Sequence, residues 1–460
     1  MTIPPRRLGQ LNVDQEFSFA TRHIEVPAQE FIYREGVSAI LLLSAALLAL
    51  GWANSPWADY YYRFWQAELS FDLGFLHVGK DFHHWINDGL MALFFFLVGM
   101  EIKHELAHGY LSTRKQAFLP VIAALGGMIV PATLFLVLTH ATPFAPGWGI
   151  SMATDIAFAV GILSLLPGIS SEAKVLLLAL AIADDIGAIA VIAFFYSETI
   201  QIAPLVFGGA LLLGVYGLRW ARVRFAFPYV LLGILFWMAI LKSGIHASIA
   251  GVVLAFMVST RQTVSRSAFE ERSAPILAEF RQSMREDNVS RADANLGALE
   301  ALVVSTDSPI ERLTRALHPW VAFVVLPLFA FANSGITFSA SAVRASFQTT
   351  LFWGVVVGLV LGKPIGIFLF SWIAARTRLA SLPNDMSFRE LAGIGIVAGI
   401  GFTVSIFIAG LAYENLQLVN ISKFAILVAS TVAGICGYLW LRFSGRKTST
   451  QRFSFYQKTA

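Results

Sequence analysis

Two aspartates stand side by side in the middle of a long apolar run. The run extends from Val175 to Phe195, with Asp184 and Asp185 near its centre. About 20 apolar residues in a helix cross the hydrocarbon core of a bilayer. An Asp at the bilayer centre costs about 2.5–3.5 kcal/mol on insertion scales. A chain that keeps two of them there is expected to use the charge. The remaining composition agrees with a polytopic membrane protein. Mean hydropathy is +0.68 and 13% of residues are charged, against about 25% in soluble domains. The single cysteine, Cys436, excludes an intrachain disulfide or a cysteine metal cage. A net charge of +4 gives no reason to expect a nucleic-acid partner; the lipid bilayer is the expected one.

The spacing of apolar runs predicts an all-α fold with about twelve transmembrane spans. They fall near 37–53, 85–103, 117–139, 148–166, 173–196, 203–219, 228–242, 245–259, 319–335, 352–374, 389–412 and 418–442. An even number puts both termini on one side. With a cytoplasmic N-terminus, the external segments hold Arg63, Lys80, Lys242, Arg344 and Lys423, Lys363 lies inside span ten, and the other 27 of the 33 Lys and Arg are cytoplasmic. That bias is the positive-inside pattern. Residues 1–35 read as a cytoplasmic tail without a cleavable signal peptide, 36–445 as the membrane domain and 446–460 as a second cytoplasmic tail. Ser70 to Val78, with Asp72-Leu-Gly between apolar residues, predicts an external β-hairpin. The stretch 260–314 reads as a solvated cytoplasmic insertion, with short helices expected at 275–285 and 292–303.

Spans three to five and ten to twelve are seven apart. An odd offset reverses the crossing direction, so a structural repeat between the two triplets must be inverted. The middle member of each triplet is unusual. Span four carries Ala153-Thr-Asp-Ile-Ala-Phe-Ala-Val-Gly161, with Thr154 and Asp155 as a polar break. Span eleven carries Gly393, Gly395, Gly399 and Gly401, each about 1 kcal/mol weaker than Ala in a helix. The pairing predicts two interrupted helices. Tight packing through small residues is the other reading of those glycines.

Four ionisable residues are thus intramembrane: Asp155, Asp184, Asp185 and Lys363. Asp184, Asp185 and Lys363 are eleven or twelve residues into their spans, which is about halfway through a core of roughly 30 Å. Asp184 and Asp185 project about 100° apart on their helix, so they line two sides of one cavity and do not face each other. Their hard oxygens suit a small hard cation, and protons compete for the same atoms. Asp184 is also able simply to pair with Lys363 and lock two helices. Asp155 is placed to offset the positive ends of half-helices. Three other classes are weighed on these residues. An intramembrane aspartyl protease needs two Asp on different helices. A transporter of organic anions with Na⁺ fits the side-by-side pair and Lys363 poorly. A passive channel or purely structural membrane protein is separated from a transporter by flux measurements.

At this point the sequence resembles the NhaA-type bacterial Na⁺/H⁺ antiporters. The residues that carry the resemblance are Ala153-Thr-Asp-Ile-Ala-Phe-Ala, Leu180-Ala-Ile-Ala-Asp-Asp-Ile-Gly-Ala-Ile, Leu241-Lys-Ser-Gly-Ile-His-Ala, Leu317-His-Pro-Trp, Leu326-Pro-Leu-Phe-Ala-Phe-Ala-Asn333, Gly362-Lys-Pro-Ile-Gly and Gly399-Ile-Gly-Phe-Thr-Val-Ser-Ile-Phe. They appear in family order over residues 35–445. Inverted repeats with broken helices are an established architecture of that same family, so the repeat read from span order agrees with it and does not predict it independently. The resemblance implies Na⁺ or Li⁺ export against protons, without a cofactor, from a bacterial inner membrane. It implies that Asp184 and Asp185 carry the ion and the protons, and that Lys363 pairs with the first Asp. Thr154 and Asp155 match the span-four crossing, and Gly399, Gly401 and Thr403 match the break in span eleven. It further implies a core (115–196 and 350–443) moving against a panel (36–105 and 203–335). The hairpin around 70–79 resembles a homodimer contact. Glu101, Glu105 and His318 match a cytoplasmic pH-response cluster, and Asp88 matches an external carboxylate. His246 reads as a helix-end or packing residue. The chain departs from the family at Thr314 and Arg315, which replace two titratable residues before His318, and its adjoining loop is longer than usual.

Overall fold

A chain that crosses lipid must satisfy its backbone internally, and helices do this within one segment. The computed structural model describes residues 36–444 except 73–76, 167–168, 198, 222, 224, 263 and 384–385. The two expected tails at 1–35 and 446–460 lie outside the described residues. Among those described, nine helices are long and apolar enough to cross a membrane. They are Gly36–Ala53 (α1), Phe82–Ala107 (α3), Gln116–Leu138 within Arg114–Leu138 (α4), Ala145–Ser164, Glu172–Phe195 within Ser171–Phe195 (α6), Ile202–Trp220 (α7), Pro309–Asn333 (α12), Thr350–Arg376 (α14) and Leu416–Ser444 (α17). A tenth is a bent pair, Phe388–Ala398 (α15) and Phe402–Ala412 (α16), meeting at 47°. Ala226–Leu241 (α8) and Ser248–Met257 (α9) are shorter apolar helices where spans seven and eight were expected.

Outside the spans, Ala58–Trp65 (α2) leads to Glu68–Asp72 (β1), which pairs antiparallel with His77–Asp81 (β2) in the register Glu68↔Asp81 to Asp72↔His77. The hairpin is thus present, starting two residues earlier and ending three later than the sequence suggests, and its tip lies outside the described residues. Asp81 then caps α3 by accepting from His84 N at 2.8 Å. The insertion folds into two helices, Arg266–Arg285 (α10) and Val289–Thr306 (α11), packed on each other. Both are longer than expected because Ser265 and Asn288 cap them earlier. A short helix, Ala340–Gln348 (α13), precedes α14.

Two expectations need correction. Span nine was placed at 319–335, but its helix begins at Pro309. Ser308 and Glu311 form a reciprocal capping box there, and Pro319 sits inside the helix without ending it. Lys423 was counted as an external loop charge, yet it lies within α17 and is buried.

Proline also shapes two spans from within. A π-type turn at Val321–Val325 precedes Pro327, and another at Gly358–Gly362 precedes Pro364. Proline lacks an N–H and crowds the preceding turn, so a widened turn beside it relieves the conflict. The second of these turns leads directly into Lys363. Among the described residues the most extensive helix contact joins α4 to α14. A methyl group on Gly126 would collide with the carbonyl oxygen of Gly366, and one on Gly366 with that of Gly126. Backbone therefore lies on backbone with no side chain between, as small residues allow in membranes.

Gly366→Val is expected to cost at least about 1–3 kcal/mol by overpacking, read as a lower thermal unfolding midpoint in detergent. Gly209→Ala, whose added methyl meets nothing within 4 Å, should leave the midpoint unchanged or higher.

Candidate functional site: an ion-binding crossing

Span four is interrupted as its sequence suggests. A 3₁₀ segment, Ala145–Ser151, gives way to extended backbone before Ile156–Ser164 (α5) resumes as α-helix. Span eleven breaks between α15 and α16 at Gly399 to Gly401. A methyl group on Gly399 would press on Leu359 O at 2.5 Å, and one on Gly401 would lie 3.1 Å from Ala153 O and collide with Ser405 Oγ. The two breaks meet, because Asp155 N donates to Ile400 O at 2.7 Å.

Each side chain at the crossing answers a backbone or charge requirement. The Asp155 carboxylate caps α5 by accepting from Phe158 N at 3.1 Å, and it also accepts from Thr403 N at 3.1 Å and Thr403 Oγ1 at 2.5 Å. One carboxylate thus faces the N-terminal ends of two half-helices, where negative charge is favoured. Thr154 Oγ1 stands 2.7 Å from Asp184 Oδ2 and 2.9 Å from Ala398 O. Lys363 Nζ lies 2.6 Å from Asp184 Oδ2 and also donates to the carbonyl of Met152, at the end of the 3₁₀ half. Asp155, Asp184, Asp185, Lys363, Thr154 and Thr403 are all 3% exposed or less.

Asp184 and Asp185 differ in what they lack. Oδ1 of Asp184 and Oδ2 of Asp185 have no hydrogen-bond partner among the described residues. Asp184 shares its other oxygen with Lys363 and Thr154. Asp185 has no such lysine, and it sits in the field of Asp184, Glu101 and Lys363. Among the described residues no group of three His, Cys, Asp or Glu could hold a metal. A cation on the two free carboxylate oxygens would therefore complete its shell with hydroxyl, carbonyl or water oxygens, as hard cations do.

The structure brings Thr154, Asp155, Asp184, Lys363, Gly399, Gly401 and Thr403 to one point, with Asp185 beside them. The expected pH-response residues divide. Glu101 reaches the field of Asp185, whereas Glu105 turns to the loop after α3 and accepts from Tyr110 N at 2.8 Å. His318 lies in the last turn of the helical segment before Val321. Of the two departures, Arg315 pairs with Asp307 at 2.9 Å, holding α12 to the insertion. Near the start of α3, Asp88 lies 3.6 Å from Lys80 and 3.9 Å from His246.

Sequence reasoning missed several supports. Tyr196 donates to Pro146 O at 2.7 Å and accepts from Gly149 N at 3.2 Å, Tyr413 donates to Phe144 O at 2.6 Å, and Ser405 donates to Ile150 O at 2.8 Å. Three side chains, one at the end of α6 and two in and after α16, thereby pin the 3₁₀ half. Gly147 and Gly149 were the available signal, since side chains there would strike the two tyrosine hydroxyls. Phe407 of α16 is also new, with its ring 5.5 Å from Phe95, 5.2 Å from His246 and 6.2 Å from Phe329. Breaking the buried ion pair from one side is expected to cost about 3–5 kcal/mol. Lys363→Met should therefore lower the thermal midpoint strongly, and adding Asp184→Asn should restore most of the loss.

Comparison with known proteins identifies the family. A family model described as Na+/H+ antiporter 1 matches residues 29–441. The Na(+)/H(+) antiporter NhaA 2 of Syntrophotalea carbinolica is 42% identical over 436 residues, covering 93% of this chain and 99% of its own. The Na(+)/H(+) antiporter NhaA of Oleidesulfovibrio alaskensis is 43% identical over 421 residues, covering 90% and 93%. The sodium proton antiporter MjNhaP1 from Methanocaldococcus jannaschii aligns over 95% of this chain and 99% of its own at 13% identity and a TM-score of 0.44. The chain belongs to the Na+/H+ antiporter 1 family, the family of the NhaA-type antiporters.

Proposed function

We propose that this antiporter exports Na⁺ or Li⁺ in exchange for external protons, by alternating access around Asp184 and Asp185. The family carries Na⁺ and H⁺ across membranes and is not enzymatic. The observation that carries the finer reading is the charge balance at the crossing. Asp155 faces two half-helix ends, each equivalent to roughly half a positive charge. Lys363 balances Asp184. Asp185 is left without a hydrogen-bonded lysine, and each of the two aspartates keeps one buried oxygen that makes no hydrogen bond among the described residues. A cation or a proton supplies what is missing.

In the proposed cycle a cation from the cytoplasm binds Asp185 and Asp184, drawing Asp184 away from Lys363. The core, spans three to five and ten to twelve, then moves against the panel and opens the other face. The cation leaves and protons take its place. Two protons per cation, on Asp185 and on either Asp184 or Lys363, make transport electrogenic. Each net charge then gains about 2.3 kcal/mol per 100 mV of membrane potential. The packing of Phe407 among Phe95, His246 and Phe329 supports a core–panel seam closed on the face where α16 ends. The lysine and arginine distribution supports cytoplasmic termini in a bacterial inner membrane. Glu101, in the field of Asp185, is proposed to link transport to cytoplasmic pH, with Glu105 and His318 as further members. The β1–β2 hairpin offers exposed strand edges to a second copy, and a homodimer through residues 70–79 is proposed.

Asp185→Asn should abolish Na⁺-dependent proton flux in proteoliposomes. Exchange at a near-normal rate would sink the assignment. For the wild-type protein, an imposed potential without a pH gradient should drive uphill Na⁺ movement; rates that ignore the potential would show electroneutral exchange. Deleting residues 70–79 should shift the detergent-solubilised protein from dimer to monomer by light scattering.

A further inference from the structure

Lys423 is a second buried lysine, and it is provided for quite differently from Lys363. Lys363 has a carboxylate and a carbonyl. Lys423, on α17 and 8% exposed, has no ion pair or hydrogen bond among the described residues. It lies where α17 approaches the flanking helices, within electrostatic reach of His83 on α3. The acceptors around it are already used. His83 Nε2 is 3.1 Å from Asn333 Oδ1, Asn333 Nδ2 donates to Asn87 Oδ1 at 2.8 Å, and Asn87 Nδ2 is 3.4 Å from His83 Nδ1. This closed ring of bonds is satisfied with the imidazole carrying one proton, on Nε2. The carboxylates on the same face are engaged as well. Asp81 holds His84 through its amide and ring, and Asp88 lies against Lys80 and His246. The positive charge of Lys423 is therefore not cancelled locally.

Its depth matters. At about 1.5 Å per residue, Lys423 is roughly 10 Å along α17 from its start, and Asp185 is roughly 15 Å from the end of α6 on the same face. Lys423 on α17 reaches His83 on α3 electrostatically, so a cation leaving the Asp pair along the boundary between those helices passes the field of this ammonium. In a low-dielectric seam such a field acts over several ångströms.

We propose that Lys423 sets the cation affinity on the face of the membrane where α17 begins. Its charge raises the energy of a cation standing between the Asp pair and that face, so a cation that arrives there is released and is not readily rebound. Export is thereby favoured over re-entry without any contact between Lys423 and the bound ion. The inference rests on the antiport reading above and adds a residue that makes the two faces unequal.

The test uses the full-length protein in right-side-out and everted membrane vesicles, with Na⁺ itself as the probe and pH held fixed. Lys423→Met should lower the apparent KM for Na⁺ offered from the α17-start face about threefold to tenfold, and leave KM from the other face within about twofold. Lys423→Arg should behave as wild type. Unchanged KM on both faces, an equal shift on both, or an Arg variant that behaves like the Met variant would overturn the proposal. Lys423→Gln takes the same test if the Met variant does not accumulate. If neither neutral variant accumulates while the Arg variant does, Lys423 is a folding residue and the proposal falls. Wild-type vesicles lacking any Na⁺-dependent proton flux would instead remove the antiport reading and leave the asymmetry without a basis.

Discussion

A helix broken in the middle of a bilayer leaves backbone groups that no bulk water can satisfy. This chain breaks two helices at the same depth and lets each complete the other. The amide of Asp155 bonds to Ile400 O, its carboxylate meets the first amides of α5 and α16, and Thr154 and Lys363 reach carbonyls that end the opposite halves. Everything else in the molecule holds this crossing in register. Tyr196, Tyr413 and Ser405 fix the 3₁₀ half of span four. Gly399 and Gly401 allow the strands to touch. The Asp pair sits beside a structure whose dipoles are already compensated, which is why its own charge remains available.

Much of this was legible in the residues. Apolar length gave the spans, and isolated charges inside them named Asp155, Asp184, Asp185 and Lys363. Glycine density marked one break, and a Thr-Asp pair marked the other. What hydropathy could not provide was the start of α12, because its first turns are polar and are set by a capping box. It also misjudged Lys423. A lysine near the end of an apolar run is usually interfacial, and only the neighbouring helices reveal that this one is enclosed. The tyrosine contacts to the 3₁₀ half were invisible, since they join residues about 50 and 270 positions apart.

The longer insertion and the replaced residues before His318 belong together physically. Val264 N bonds to Ser305 O, Ile310 N to Ser259 O, and Arg315 pairs with Asp307. The base of the α10–α11 hairpin is thus closed by backbone, the exit of α9 is bonded to the start of α12, and the Arg315–Asp307 pair joins the hairpin's end to α12. Arg315, one of the two departures read from the sequence, serves that attachment.

The contact of Gly126 with Gly366 has a mechanical consequence. Two helices separated by side chains can change their relative angle as rotamers hop, but two touching through bare backbone have no such slack. α4 and α14 therefore behave as one welded strut, and the lysine that neutralises Asp184 travels with it. Any slip plane in this protein has to run elsewhere, through seams filled with rings such as that of Phe407, where side chains act as bearings.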